Sequence, residues 1–322
     1  MIRSFSPTGQ AGAGLINGML CKLGEAKEVF LDAEVSRGSG EVWLAGGQTT
    51  EEEFVNLSGI GSPRLFDRKR PTAAWSRDAR TTHMSFSEKV HLAFRRGETE
   101  AVVTMSKAEI VRAGAVGDAH GEVSARYNLA RVALRRGDLR AAANQARHGL
   151  AVALRAGDRG LEERPRHVLA SVARISGDLT RARELYRENI ALNEALNQIK
   201  GVHSEYHDLA FCELGLGNLD AAKELFAACR EGVFRNGWDD LVPYVCVADA
   251  ALASAAGDHV RAARMTGAAE SAFAALGHVP DPDAVADLAA VRDTTLAVLG
   301  PAGFADQCAR GWLLDPCDGV GG

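Results

Sequence analysis

The 322-residue sequence has no apolar run approaching the roughly eighteen residues that a membrane-spanning helix needs. Its first residues, Met1 to Pro7, lack the apolar stretch and small-residue cleavage site of a secretory signal. A cytoplasmic location without membrane association is therefore expected. There is no excess of positive charge: 37 Lys and Arg stand against 42 Asp and Glu, and the net charge of -5 is no footprint for a nucleic-acid backbone. Direct nucleic-acid binding is not expected. The six cysteines, Cys21, Cys212, Cys229, Cys246, Cys308 and Cys317, include no CxxC and no Cys/His pair at zinc-ligand spacing. They read as small buried hydrophobes.

Catalytic signatures are missing as well. No GxxxxGK[ST] phosphate loop, no helix-turn-helix segment and no local nucleophile, base and orienting residue occur. The glycine-rich stretch Gly12 to Gly18 imitates a nucleotide loop, but no strand precedes it to aim a helix at phosphates. His203 and His207 stand four apart, with no third metal ligand at a definable place. Arg136-Gly137-Asp138 spells an adhesion tripeptide, yet it reads as a turn between helices. No cofactor, metal or catalytic residue is expected.

What the sequence does hold is repetition. Its apolar fraction of 46% suffices for a large core, and glycine recurs with a period of 40 at Gly97, Gly137, Gly177, Gly217 and Gly257, each followed by a turn-friendly polar residue. A second series, Gly117, Gly157, Asn197, Gly237 and Gly277, lies halfway between. Gly and Asn accept the left-handed backbone just past a helix end, and a neighbouring Asp or Asn caps the next helix. Each unit therefore reads as helix, tight turn, helix, looser turn. Leu129, Ala130, Ala133 and Leu134 share one helical stripe, and Leu139, Ala142, Ala143 and Ala146 the next.

A pair of small residues flanks each tight turn at a separation of twelve: Ala130 with Ala142, Ala170 with Ala182, Ala210 with Ala222, Ala250 with Ala262. Two antiparallel helices that cross closely leave room there for one methyl group from each. These units resemble tetratricopeptide repeats, as Leu169-Ala170, Gly177-Asp178, Ala182 and Tyr186 illustrate, together with Leu209-Ala210, Gly217-Asn218, Ala222 and Phe226. The period is longer than that family's, and the first unit carries Val90 and Val102 at the small positions. The closing stretch Asp258 to Trp312, with Arg261-Ala262-Ala263, Gly267-Ala268-Ala269-Glu270 and Leu299-Gly300 to Phe304, resembles the end of the helical-repeat region of bacterial LuxR-type regulators with a signal-transduction ATPase.

The expected fold is all-α, a tetratricopeptide-like α-solenoid in which helix pairs of about 40 residues wind as a right-handed superhelix over 81–315. A flexible tail is expected at 316–322. Residues 1–80 read as an irregular, Gly-rich extension or cap, with one helix from about Leu15 to Val35 and a short strand at Glu41-Val42-Trp43-Leu44.

In stacked helix pairs the first helix of each unit lines the inner curve. Counting from the Leu-Ala pairs places Tyr127, His167 and His207 at one register of that face, with Arg131, Arg135, Arg164, Arg174 and Phe211 beside them. Arginine forks suit carboxylate or phosphate, and rings make stacking walls. The groove is thus expected to bind a protein or peptide partner, in particular an acidic segment, in a scaffold or sensor of the kind the LuxR resemblance implies. Two other readings stand beside it. The arginines belong to a solvated face and pair with neighbours such as Glu162, Glu163 and Glu205, or the groove or the first eighty residues form the pocket of a small-molecule-binding or catalytic protein of a specialised pathway.

Overall fold

The computed structural model describes residues 13–22, 28–36, 41–44 and 47–50 as backbone, and residues 84–314 in full. The chain divides into two units, Met1–Trp75 and Ser76–Gly322.

In the first unit the expected helix over 15–35 is not formed. Strands β1 (Ala13–Lys22) and β2 (Glu28–Ser36) occupy it instead, paired antiparallel from Ala13 opposite Ser36 to Lys22 opposite Glu28, with an irregularity between Ile16 and Met19. The alternation of Leu31, Ala33 and Val35 with Asp32, Glu34 and Ser36 is a period of two, which a helix does not use. Gly18, inside that span, weakens a helix further. The strand expected at Glu41–Leu44 is present as β3 and, with β4 (Gly47–Thr50), completes a sheet in the order β1-β2-β3-β4. The nucleotide-loop imitation is strand from Ala13 onward. The runs Glu51 to Glu53 and Arg68 to Arg70, and the tail 316–322, lie outside the described residues.

The second unit is a tetratricopeptide-like helical repeat. Its helices are α1 (Phe86–Arg95), α2 (Thr99–Val116), α3 (Ala119–Arg135), α4 (Leu139–Ala156), α5 (Glu163–Ile175) and α6 (Leu179–Ala195). They continue with α7 (Ile199–Gly215), α8 (Leu219–Asn236), α9 (Val242–Ala255), α10 (His259–Leu276) and α11 (Pro282–Trp312). The last is broken at Gly300, where φ 67° and ψ 167° leave the helical region just before Pro301. Each turn follows the chemistry read from the sequence. At Gly137 (φ 73°) the amides of Gly137 and Asp138 bond back to Leu134 and Ala133, and the Asp138 carboxylate accepts the Ala141 amide at 2.8 Å. Asn197, at φ 56°, takes the same conformation in the second series. Second helices of 17 or 18 residues, such as α4 and α6, account for a period longer than the usual repeat.

The alanine seam is dry. Ala130, Ala142, Ala170, Ala182, Ala210, Ala222, Ala250 and Ala262 are all fully buried, as are Val90 and Val102 in the first helix pair. Tyr186 and Phe226, four residues past the second alanine, fill the space between successive pairs. Packing of this kind leaves α1, α3, α5, α7 and α9 to line the inner face.

Candidate functional site

Three arginines of the inner face, Arg95, Arg131 and Arg174, are buried. Helix α10 ends at Gly277, and the stretch His278 to Asp281 carries the chain to the first helix pair, where the Val279 amide donates to the Arg95 carbonyl at 2.7 Å. Pro280 and Pro282 keep this stretch out of helix until α11 begins. Asp281 stands at the N-cap of α11 but makes no side-chain cap. Its carboxylate instead accepts from Arg131 of α3 at 2.9 Å and pairs with Arg95 of α1 at 3.5 Å. Arg95 also donates to the Tyr244 hydroxyl of α9. Two and six residues later, Asp283 and Asp287 meet Arg174 of α5 at 3.2 and 2.9 Å. Helix α11 thus lays three carboxylates across three inner helices, and the first and last parts of the repeat region touch.

Each residue placed in the groove by the sequence has a definite position. Arg131 is buried, with its guanidinium 3.6 Å from the centre of the Phe94 ring. Arg135 covers the same ring at 3.8 Å and donates to the Phe94 carbonyl at 3.0 Å. Arg174 is buried beside Phe211, and Phe211 itself is packed on Phe226 with centroids 5.0 Å apart. His207 is buried among Phe211, Phe226 and Tyr244. Tyr127 is half-buried, and the exposed Arg164 lies 5.4 Å from its ring. Among the described residues no carboxylate pairs with Arg164. His167 bonds through Nδ1 to Glu205 Oε1 at 2.9 Å, and that oxygen also accepts from Asn189 at 3.0 Å.

Arginines pairing with nearby glutamates do not account for this face. Glu162 is taken by Arg166 and Glu205 by His167, whereas Arg131 and Arg174 reach aspartates more than a hundred residues ahead. Arg95 and the three aspartates were not singled out from the sequence. The one available sign was the acidic, proline-bracketed run Val279-Pro280-Asp281-Pro282-Asp283 to Asp287. Nothing local in it names its partners.

Burial and charge set the protonation states. Burial opposes the charge on Asp281, but Arg131 and Arg95 outweigh it and hold the carboxyl down at about 2. For Asp287 burial prevails over Arg174, and the carboxyl is pushed up to about 6. Burial also disfavours charge on His167, yet Glu205 and Asp208 more than offset it and raise the imidazole well above its ordinary value. On α1, burial and the nearby Arg95 and Arg131 push His91 down to about 4.

A cavity of about 390 Å³ is lined by members of these ion pairs, Arg95, Arg131, Asp281 and Asp283, together with Ser87, His91, Tyr127, Arg164, His167 and Ser204. Among the described residues no group of three His, Cys, Asp or Glu suits a metal ion. None of the described helices is long and apolar enough to cross a membrane.

No protein-family model matches the chain. No curated protein matches it either. Among solved structures it is similar to BtubC (BKLC) from P. vanneervenii, at 18% identity and a TM-score of 0.45, over 71% of this chain and 89% of that one. The apo form of RapI is similar at 12% identity and 0.44, over 71% and 95%. A putative kinesin light chain of Podosopora anserina with nearly identical TPR-like repeats is similar at 16% identity and 0.39, over 67% and 98%.

Proposed function

We propose that this chain is a non-catalytic interaction module, a scaffold or sensor that takes a peptide or acidic segment of a partner protein on its concave face. The observation that carries this reading is that the face already holds carboxylates, each at hydrogen-bond or ion-pair distance from a fixed guanidinium. Three arginines from three separate helices, braced by aromatic rings, form a built receptor for a carboxylate-bearing chain. Arg164 adds a cation at the open rim, over the ring of Tyr127. The resemblance of Asp258 to Trp312 to LuxR-type regulators fits a regulatory role in a bacterial cytoplasm.

The test is an array of acidic and basic dodecapeptides probed with wild type, Arg164→Glu and Tyr127→Ala. Binding confined to acidic peptides, weakened by salt and lost in Arg164→Glu, is expected. Equal binding by wild type and both variants would remove the groove assignment and leave the fold untouched.

The cavity favours a second reading, a small-molecule-binding or catalytic protein, since about 390 Å³ falls within the size of ligand pockets. Thermal scans against a panel of anionic metabolites and cofactors test it. A ligand at about 100 times its dissociation constant stabilises by about 2.7 kcal/mol. A panel without any shift would set this reading aside.

A further inference from the structure

We infer that the stretch His278 to Asp287 is a displaceable internal occupant of the groove, and that the partner's segment shares its chemistry: an aspartate between prolines, followed on a helix by two more aspartates four apart. The inference rests on the groove reading above and names the partner class for it.

The seat does not depend on α11's own neighbours in sequence. Arg95, Arg131 and Arg174 lie 186, 150 and 113 residues before the aspartates they hold. Attachment is largely polar, through the Val279 amide on the Arg95 carbonyl, the Pro280 carbonyl accepting from Arg135 at 3.5 Å, and the carboxylates. Of the apolar residues in the stretch, Ala284 is buried, whereas Val279 and Val285 are exposed. Only one buried methyl group, that of Ala284, therefore has to leave its packing when the stretch lifts. Ion pairs removed from water gain little over their hydrated state, so a segment from outside with the same carboxylates can replace these contacts one for one. Removal without replacement would take the carboxylate from Arg95 and Arg131 and leave Arg174 only Asp208, at 3.9 Å, which favours exchange over simple opening.

The moving length is bounded at both ends. Gly277 ends α10 in the left-handed conformation, and a β-carbon there would meet nothing within 4 Å. Beyond Asp287, Val291 is anchored in the core with Phe273 and Met265. Only the turns that carry the aspartates are free to detach. Asp283 and Asp287, one helical turn apart, both point at Arg174, so the geometry selects a partner that is helical in its second half.

Hydrogen exchange of the wild-type chain, read by mass spectrometry with and without a synthetic peptide of residues 278–288, tests the inference. The peptide is expected to accelerate exchange at Val279 and at 284–287 about tenfold when present at about ten times its dissociation constant, with α6 unchanged. A control peptide with all three Asp replaced by Asn is expected to do nothing. No acceleration at millimolar peptide, or equal acceleration by the control, overturns the inference. A second arm uses the Asp281→Asn, Asp287→Asn double variant, with its fold checked by circular dichroism. Tighter peptide binding than wild type by fluorescence anisotropy supports the inference. A folded variant that binds no tighter overturns it, as does one that dimerises and ignores the peptide, since the groove would then belong to a second copy. Should the double variant fail to fold, the wild-type exchange decides alone. Loss of array binding in Arg164→Glu with no displacement here would keep the groove reading and discard the internal occupant.

Discussion

Ala130 and Arg131 are neighbours on α3 and belong to regions of opposite kind. Ala130 is fully buried against the second helix of its own pair, in a contact that recurs every 40 residues. Arg131 meets Asp281, 150 residues away, in a contact that occurs once. The alanine seam is local, dry and periodic, and it sets how each pair of helices crosses. The inner face is long-range, ionic and aperiodic, and it sets whether the repeat region closes on itself. Stability of the repeats and closure of the groove are therefore separable properties.

The largest effect is expected on the dry side. Ala210→Leu should cost about 1 to 3 kcal/mol by overpacking a closed helix crossing, measured by urea unfolding. Ala191→Leu, on an exposed face, should stay within about 0.5 kcal/mol. Equal tolerance at both would mean that the close crossing is wrong.

A comparable effect is expected on the ionic side, and only there does it depend on pH. Asp281 is held at about 2 against an ordinary 3.8 by Arg95 and Arg131, with Arg135 and Tyr244 close by. A depressed carboxyl stabilises the fold above its unfolded value and ceases to as pH falls through the folded one. That amounts to about 2 kcal/mol lost between about pH 4 and pH 2. Asp287, raised to about 6, has the opposite sign, so its contribution grows as pH falls from about 6 toward 4. His167, raised by Glu205, stabilises fully below its ordinary value and less as pH climbs through the folded one. Unfolding followed against pH in wild type and Arg131→Met should show the acid-limb loss shrink in the variant. An unchanged acid limb would detach Asp281 from Arg131.

The smallest effect sharpens the contrast from the turns. Asp138→Ala removes the acceptor of the Ala141 amide and should cost about 1 kcal/mol while leaving peptide binding by the groove unchanged.

The repeats were legible because their contacts close within a few dozen residues. Gly137 and Asn197 announce turns by backbone conformation, and Ala130 with Ala142 announces a crossing by size. Strand β3 is legible at Glu41–Leu44, whereas β1 and β2 stand where a helix is expected, and the period of two in 31–36 is the sign of it. Helix register alone also placed Phe211 on the groove wall, whereas it packs on Phe226 from the following helix. The occupants of the groove were illegible for a different reason. A carboxylate at Asp281 or Asp287 carries no local mark of which arginine it will meet, because superhelical closure decides that.

A double-mutant cycle between Arg131→Met and Asp281→Asn, read by urea unfolding, tests closure of the groove most directly. A coupling energy above about 1 kcal/mol is expected for groups that touch. Additivity within about 0.5 kcal/mol would mean that the two never meet and that the repeat region stays open.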